Sequence, residues 1–323
     1  MAKPVVVVTR KIPDAGLELL KNRFDVKISK VDRVLSAPEL KKLVAGASAI
    51  LALLTDKIDD GLLTAAGKNL KIVANFAVGF DNVDLAAAKK RKVVVTNTPG
   101  VLTEAVAEHT IALLISTARR IVESDKFTRA GRYEGWEPEL LLGHELAGKT
   151  LGILGLGRIG SRVAEIASRG FGMKVIYYDN GNRNRDLDKA IGAEAVSIRK
   201  ILTAADVVSL HVPLTRETKH LIGRSELSSM KRTAILINTA RGPVVDEKAL
   251  AQALKKKTIW GAGIDVFEFE PQITKELLKL DNVVMTPHTA SATIEARNGM
   301  AELAAKNIIA VLEGRVPITP IKL

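Results

Sequence analysis

The chain has 323 residues, no cysteine and a formal net charge of +12, and 47% of its residues are hydrophobic. This length exceeds what a single hydrophobic core usually serves, so two domains are expected. The absence of cysteine excludes disulfides, thiolate catalysis and cysteine-ligated metals, and no apolar run approaches the roughly eighteen residues of a membrane helix. The opening MAKPVVVVTR leaves no room for a signal peptide. We therefore expect a cytoplasmic protein without a membrane partner.

The positive charge raises the question of nucleic-acid binding. The basic residues are dispersed, and the densest runs, 89–92 and 255–257, stand at predicted helix ends, where lysine suits the helix dipole. No basic stretch is interleaved with aromatic residues, which make up only 4% of the chain. We therefore expect no nucleic-acid partner and interpret the charge as a solvated surface that attracts anionic ligands.

Apolar runs alternate with amphipathic segments through the first third of the chain. The runs VVVVT, DVKI, AILALL, LKIVAN and VVVTN predict short buried strands, and the segments 14–23, 37–44, 59–66 and 84–91 predict helices between them. A long helix is predicted over 103–121, and the glycine-containing stretch 130–149 is predicted to be a loop.

A second alternating series opens at Thr150. Its predicted strands are TLGIL, KVIYYD, DVVSLH, TAILINTA, IWGAGIDVF and NVVMT, followed by a helix over 293–312 and the tail VPITPIKL. Two such series predict an α/β protein with two doubly wound parallel-sheet domains. Because the first series has only five strands and the last helix needs a partner surface, we expect the tail to return to the first domain.

The strongest local motif is GLGRIG, which follows the predicted strand TLGIL and opens a helix. Gly155 allows a tight turn, Gly157 lets the backbone approach a pyrophosphate, and Gly160 lets the helix pack close to the sheet. The N-terminus of the helix that follows offers free N–H groups to phosphate oxygens. In this context the motif predicts a dinucleotide-binding domain.

An acidic residue at the end of the next strand bears on the choice of cofactor. Asp179 stands nineteen residues after Gly160, where a carboxylate accepts hydrogen bonds from the adenosine ribose and repels a 2′-phosphate. Arg183 and Arg185 follow closely and would instead help a 2′-phosphate to bind. We therefore predict NAD, with NADP as the alternative.

Three polar residues, Arg241, Glu270 and His288, each follow an apolar strand of the second series. Ligands of open parallel sheets bind beyond the carboxyl ends of the strands. Hydride transfer to a 2-oxo acid requires a cation for the carboxylate, which arginine supplies as a bidentate fork. It also requires a proton donor for the carbonyl oxygen. Histidine suits that role, and a neighbouring glutamate would favour its protonated form and fix its ring.

Other histidines compete for the role of proton donor. His211 also ends a strand, in SLHVPLT, and the residue pattern alone does not separate it from His288. His109 lies within a predicted amphipathic helix and is interpreted as structural, and His144 and His220 have no evident partner. No pair of histidines has metal-ligand spacing, so no metal is predicted.

The chain resembles the D-isomer-specific 2-hydroxyacid dehydrogenases over almost its whole length. The resemblance rests on AVGFDNVDL (77–85), NTPGVLTEAVAEHTIALLI (97–115), GLGRIG (155–160), HVPLTRETKHLIG (211–223), INTARGPVVDEKAL (237–250), DVFEFEP (265–271) and TPHTASAT (286–293). By this resemblance Arg241, Glu270 and His288 are the catalytic trio, and His211 lines the cofactor cleft.

The resemblance also implies the remaining site residues and the domains. The N–H groups of Val78 and Gly79 would hold the substrate carboxylate. A flavodoxin-like substrate domain would comprise 1–99 and 287–323, and a Rossmann NAD-binding domain would comprise 100–286. The implied cofactor contacts are Thr103, Gly155, Gly157, Arg158, Ile159, Gly160, Asp179, Asn180, His211, Pro213, Thr239, Ala240, Arg241, Asp265, His288 and Ala290.

Within the family, NTPGVLTEAVAE and GRYEGWEPELLLGHELAGKTLGILGLGRIG are most similar to glyoxylate and hydroxypyruvate reductases. The resemblance thus implies NAD(P)H-dependent reduction of a small 2-oxo acid to the D-2-hydroxy acid by a homodimer. Its interface would comprise the helix from Thr103 and the loop around Trp136. The apolar run 111–115 is consistent with burial in that interface, and packing within its own domain is the alternative. A 3-phosphoglycerate dehydrogenase-like enzyme and a non-catalytic NAD-sensing protein of the same fold remain the alternatives.

Overall fold

A computed structural model describes residues 3–180 and 184–322. The chain forms two compact units, one comprising Met1–Leu102 with Ala292–Leu323 and the other comprising Thr103–Ser291. Each unit is built on its own parallel β-sheet. The predicted α/β class with two doubly wound domains is therefore confirmed.

The first unit is built on a five-stranded sheet. Its strands are β1 (Val5–Val8), β2 (Asp25–Ile28), β3 (Ala49–Ala52), β4 (Ile72–Asn75) and β5 (Val94–Thr96). They lie where the apolar runs predicted them, and their order, β2-β1-β3-β4-β5, is the flavodoxin-like one. The central strands β3 and β4 are buried along their whole length, which explains why they are apolar without alternation.

Four helices connect these strands, and two of them begin at a capping aspartate. The Asp59 side chain accepts a hydrogen bond from the N–H of Leu62, and the Asp84 side chain accepts one from the N–H of Ala87. The predicted helices are confirmed, with ends that differ by at most two residues. They are α1 (Asp14–Lys21), α2 (Ala37–Val44), α3 (Asp60–Ala66) and α4 (Leu85–Lys90).

The end of the chain belongs to the first unit. The C-terminal helix, Ile294–Leu312, packs closely on α1, where a methyl group on Gly16 would lie 2.4 Å from the carbonyl oxygen of Ala301. The tail then forms an antiparallel bridge between Pro320 and Thr96 of β5.

The side chain of Asn307 ties this tail to the C-terminal helix. Its Nδ2 donates a hydrogen bond to Thr319 Oγ1 at 2.8 Å, and its Oδ1 accepts the N–H groups of Ile318 and Thr319 at 2.8 and 3.0 Å. The side chain is fully buried, and a buried amide is tolerated there because its polar groups are bonded.

The second unit is built on a seven-stranded sheet. Its strands are β6 (Thr150–Leu154), β7 (Lys174–Tyr178), β8 (Glu194–Ala195), β9 (Val207–Leu210), β10 (Ile235–Asn238), β11 (Gly261–Ile264) and β12 (Val283–Met285). Their order, β12-β11-β10-β9-β6-β7-β8, is the Rossmann order with β12 added at one edge. Only β8 was not predicted, because its two exposed residues form no apolar run.

One helix of the second unit differs from the prediction. Helix α5 ends at Ala118 rather than continuing to 121, because Arg120 has a left-handed backbone with φ of 53°. A second helix, missed from the sequence because no glycine or proline marks the break, follows directly.

The predicted loop over 130–149 is confirmed, since this fully described stretch contains only turns and bends. The helices are α5 (Thr103–Ala118), α6 (Ile121–Arg129), α7 (Arg158–Phe171), α8 (Arg185–Ile191), α9 (Ile198–Ala204), α10 (Arg224–Ser229) and α11 (Glu247–Lys255).

The apolar run 111–115 contributes mainly to the core of the second unit itself. Ile111, Leu113 and Leu114 are buried beside strand residues such as Ile237. Packing within the unit therefore accounts for these apolar residues, which are not available to an interface.

Across the described part of the chain, no helix has both the length and the apolar character needed to cross a lipid bilayer.

We expect Asn307→Ala to lower the free energy of unfolding by about 1–3 kcal/mol, because the N–H groups of Ile318 and Thr319 would lose their acceptor and each such hydrogen bond contributes about 0.5–1.5 kcal/mol. Hydrogen exchange measured by mass spectrometry should show faster exchange over 318–321. Lys306→Ala is the control, since Lys306 forms only an exposed ion pair with Glu302. Equal tail exchange in the two variants would contradict the role of Asn307.

Candidate active site

The turn between β6 and α7 has the geometry of a phosphate-binding loop. Gly155 has φ of 94°, and a methyl group there would lie 2.6 Å from the carbonyl oxygen of His211. A methyl group on Gly160 would lie 2.1 Å from the carbonyl oxygen of Gly155. By contrast, no atom of the described residues lies within 4 Å of a methyl group placed on Gly157. Helix α7 begins with Arg158, so its free N–H groups follow directly on this open position.

Asp179 follows β7 and contacts the same turn. Its Oδ2 accepts a hydrogen bond from the N–H of Leu156 at 2.7 Å. The side chain is half-buried, and the neighbouring Asn180 is exposed. Of the two arginines considered above, Arg185 is the first residue of α8, whereas Arg183 lies outside the described residues.

The parallel strands β9, β10, β11 and β12 end at one edge of the second sheet. Because parallel strands point the same way, the segments that follow them meet at this edge. The predicted residues there are His211 after β9, Thr239, Ala240 and Arg241 after β10, Asp265 after β11, and His288 after β12.

His288 and Glu270 form a hydrogen-bonded pair. Nδ1 of His288 lies 2.9 Å from Glu270 Oε2, and Glu270 Oε1 accepts the N–H of Phe267 at 3.0 Å. Burial opposes the ionisation of Glu270, but the bonds from His288 and Phe267 and the charges of His288 and Arg241 hold the pKa of this carboxyl below its usual value. The His288 side chain is 27% exposed, so the pair lies at the surface of the second unit.

Arg241 lies close to this pair because the backbone at Gly242, next to Arg241, contacts the backbone at Phe267. A methyl group on the adjacent Gly242 would lie 1.8 Å from the carbonyl oxygen of Phe267, so no larger residue fits there. The guanidinium donates to the carbonyl of Ala240 at 2.8 Å, and its charge reaches Glu270, whose pKa it helps to lower.

His211 differs from His288 in its surroundings. Its Nε2 lies 2.8 Å from Ser209 Oγ, and desolvation lowers the pKa of the His211 imidazole to about 4. The ring is therefore neutral at pH 7. This difference favours His288 as the proton donor, a choice that the residue pattern left open.

Asp265 is fully buried and holds the turn that carries His288. Its Oδ1 accepts Thr286 Oγ1 at 2.6 Å and the N–H of Thr289 at 2.8 Å, and its Oδ2 accepts the N–H of Ala290 at 2.8 Å. The backbone carbonyl of Asp265 accepts the N–H of His288 at 2.8 Å. The turn is therefore bonded to one buried residue along most of its length.

His109, which the sequence suggested was structural, contributes to this cluster. Its Nε2 lies 2.9 Å from Thr286 Oγ1 and 3.4 Å from Asp265 Oδ1. Burial opposes the ionisation of Asp265, but hydrogen bonds from His109, from Thr286 and from two backbone N–H groups hold its pKa below the usual value. No sequence signal links a residue in α5 to a strand end so far along the chain.

The sequence showed no evident partner for two further histidines. The structure gives His220 an acidic partner, whereas His144 has an aromatic neighbour and its buried Nε2 has no hydrogen-bond partner among the described residues. His220 Nε2 lies 2.7 Å from Glu268 Oε1, and the His144 ring packs edge-on against Trp260 with ring centroids 4.3 Å apart. Within residues 3–180 and 184–322, no group of three or more histidine, aspartate or glutamate side chains is arranged to hold a metal ion.

In the first unit, the turn after β4 presents Val78 and Gly79. The carbonyl of Val78 accepts Asn97 Nδ2 at 2.7 Å, and the carbonyl of Gly79 accepts Asn75 Nδ2 at 2.9 Å. These bonds anchor the turn through its carbonyl groups. The two asparagines were not identified from the sequence, although each stands at the end of a strand run, where an anchoring amide is a recognisable signal.

The remaining residues predicted to contact the cofactor occupy different environments. Thr239 Oγ1 lies 2.9 Å from Thr110 Oγ1, and Ala290 is buried with its N–H on Asp265. Thr103 and Ile159 are partly exposed near the starts of α5 and α7, and Pro213 is exposed beyond β9.

The chain is similar to proteins of known family. Residues 111–290 match the family model described as D-isomer specific 2-hydroxyacid dehydrogenase, NAD binding domain. The chain is 51% identical to the glyoxylate reductase of Thermococcus litoralis, over 98% of this chain and 96% of that protein. It is 50% identical to the glyoxylate reductase of Korarchaeum cryptofilum, over 98% of this chain and 95% of that protein.

Solved structures have the same fold over almost the whole chain. A protein from Thermus thermophilus superposes with a TM-score of 0.91 at 45% identity, covering 98% of this chain and 100% of that one. The NADPH-dependent glyoxylate/hydroxypyruvate reductase of Sinorhizobium meliloti, in complex with NADP and malonate, has a TM-score of 0.86 at 35% identity, covering 99% and 97%. The chain thus belongs to the D-isomer-specific 2-hydroxyacid dehydrogenase family and is a nicotinamide-dependent enzyme that reduces 2-oxo acids.

Proposed function

We propose that the chain reduces glyoxylate and hydroxypyruvate to the corresponding 2-hydroxy acids, with NADH as the preferred donor. The observation that carries the mechanism is the contact of 2.9 Å between His288 and Glu270, with the charge of Arg241 acting on the same carboxylate. Support for the substrate comes from relatives named glyoxylate reductase that are 50% and 51% identical to the chain.

The residues of the second unit fit a nicotinamide dinucleotide, which supplies the hydride for the 2-carbon of the oxo acid. The first N–H groups of α7 would hold the pyrophosphate beside Gly157. The space beside Gly157 is open, because a methyl group placed there would contact no described residue. Asp179 would accept hydrogen bonds from the ribose hydroxyls. We accordingly assign cofactor binding to the domain predicted over 100–286.

The substrate would be held through its carboxylate. Arg241 offers a guanidinium that binds a carboxylate and polarises the adjacent carbonyl. The turn at Val78 and Gly79 offers backbone N–H groups, since its carbonyls are already bonded to asparagine side chains. We assign the contribution of this turn to the domain predicted over 1–99 and 287–323.

His288 would donate its ring proton to the carbonyl oxygen as the 2-carbon is reduced. Glu270 orients the ring through Nδ1, and its lowered pKa keeps its carboxylate charged at neutral pH, where it stabilises the imidazolium. His211 does not suit this role, because a ring with a pKa of about 4 is uncharged at pH 7, and a neutral imidazole is a far weaker acid than an imidazolium.

We expect the purified chain to turn over glyoxylate and hydroxypyruvate, with a higher kcat/KM for NADH than for NADPH. The physical reason for the cofactor preference is that a 2′-phosphate would meet the like charge of Asp179. Steady-state kinetics on a panel of small 2-oxo acids with both reduced cofactors provides the measurement. A panel in which neither substrate is turned over would overturn the proposed function, and a clear NADPH preference would overturn the role of Asp179.

A matched pair of variants separates the charge of Asp179 from its hydrogen bond. Asp179→Asn keeps an oxygen for the N–H of Leu156 but removes the charge, so the preference for NADH should decrease. Asp186→Asn removes an exposed charge in the first turn of α8 and should leave the preference unchanged.

We expect His288→Ala to lower the rate of reduction by ~10²–10⁴-fold, because proton transfer to the carbonyl oxygen is lost. In Glu270→Gln the neutral amide no longer stabilises the imidazolium. As the pH rises, this variant should therefore lose its activity at a lower pH than the wild type does. The pH dependence of kcat/KM for reduction is the measurement. An unchanged profile in Glu270→Gln together with an active His288→Ala would show that another residue donates the proton.

We also propose that the chain is a homodimer and that residues 121–142 contribute to its interface. This stretch exposes Tyr133 at 59%, Trp136 at 83% and Leu142 at 58%. Large apolar side chains exposed together are typical of a surface that another protein covers.

Light scattering at micromolar concentration should give a dimer mass for the wild type and a lower mass for Trp136→Asp, because the charge would be buried without a partner. Val316→Asp is the matched control, since Val316 is 84% exposed but lies in the C-terminal tail. A monomer mass for the wild type would rule out the dimer.

A further inference from the structure

We infer that Glu247 is a positioning residue for the reaction: it holds the segment 268–274 so that Glu270 meets His288, without itself touching the substrate. This inference rests on the proposed role of Glu270. Glu247 is the first residue of α11 and is only 3% exposed. A carboxylate so deeply buried must be compensated by hydrogen bonds.

Both oxygens of Glu247 bind the backbone of the segment that carries Glu270. Oε2 accepts the N–H of Glu268 at 2.7 Å, and Oε1 accepts the N–H of Thr274 at 2.6 Å. The two donors stand on either side of Glu270 in the sequence. One side chain therefore anchors both ends of a segment that contains no regular strand or helix.

A carboxylate is the group required for this contact. It offers acceptors on both oxygens, whereas a glutamine amide would turn an NH₂ group towards one of the two N–H donors. Its position in the first turn of α11 adds a favourable interaction with the positive end of the helix dipole. The contact is reciprocal, since the N–H of Glu247 donates to Glu268 Oε2 at 3.1 Å.

The bonds of Glu247 to the segment 268–274 also connect that segment to the segment of Arg241. Helix α11 follows the 3-10 turn Gly242–Val244, and Gly242 packs directly on the carbonyl of Phe267. Glu247 thus adds a second attachment, beyond this close backbone contact, between the two segments that carry the arginine and the glutamate.

The arrangement extends to the surface through Glu268. Its Oε1 lies 2.7 Å from Nε2 of His220, which is 41% exposed. Glu268 therefore joins the buried carboxylate of Glu247 to an exposed ring.

We expect Glu247→Gln to lower kcat/KM for 2-oxo acid reduction by about 10- to 100-fold, as a displacement of a catalytic group by about 1 Å does. As the pH rises, Glu247→Gln should lose its activity at a lower pH than the wild type, because Glu270 would no longer be held against His288. This is the same direction of shift as that expected for Glu270→Gln. The affinity for NADH, measured by fluorescence titration, should change little.

Glu226→Gln is the matched control. Glu226 is also a first-turn carboxylate that accepts a backbone N–H, from Gly223 at 3.0 Å, but its segment carries no proposed catalytic residue. This variant should keep the wild-type rate and pH profile. Should Glu247→Gln be insoluble, Glu268→Gln is measured in its place and is expected to shift the profile in the same direction.

A double variant distinguishes positioning from a general structural role. If Glu247 acts through Glu270, Glu247→Gln should cause little further loss in a Glu270→Gln background. Losses that multiply, or a pH profile unchanged in Glu247→Gln while Glu270→Gln shifts it, would overturn this inference alone. If Glu270→Gln itself leaves the profile unchanged, the proposed pair fails and this inference fails with it.

Discussion

The carboxylate of Asp265, fully buried where β11 ends, holds the turn that carries the proposed proton donor. In that turn His288 has a left-handed backbone, with φ of 55°. A residue with a side chain costs about 1–2 kcal/mol in this conformation, so the surrounding bonds must impose it. The bonds to Asp265 supply that constraint, and they set the direction from which the ring approaches Glu270.

The two members of the proposed acid–base pair are held in the same physical way. Each lies in an irregular segment beyond a strand, where no sheet ladder binds the backbone. In each case a buried carboxylate accepts backbone N–H groups, Asp265 for the turn of His288 and Glu247 for the segment of Glu270. A charged acceptor binds such groups more strongly than a neutral one, which suits segments that must hold one geometry without regular structure.

The carboxylates of Asp265 and Glu270 create a local charge opposite to that of the whole protein. The chain carries a net charge of +12, which attracts an anionic substrate and cofactor over long range. At the carboxyl edge of the second sheet, however, the pKa values of Asp265 and Glu270 are held below their usual values. The carboxylate of Glu270 interacts there with the charges of His288 and Arg241. The long-range field thus favours arrival of the anion, whereas the carboxylate of Glu270 offsets that field beside the proposed proton donor.

The sequence by itself determined the features that depend on neighbouring residues. Apolar runs predicted every strand except β8, capping aspartates such as Asp59 marked helix starts, and GLGRIG with Asp179 identified the dinucleotide turn. The polar residues beyond the strands were also visible, because a parallel sheet collects its carboxyl ends at one edge. Only the tertiary structure decided the break at Arg120, the partner of His109 and the bonds of Glu247. The reason is that each of these depends on segments brought together by packing, and a hydrogen bond between distant segments leaves no periodic or local trace in the chain.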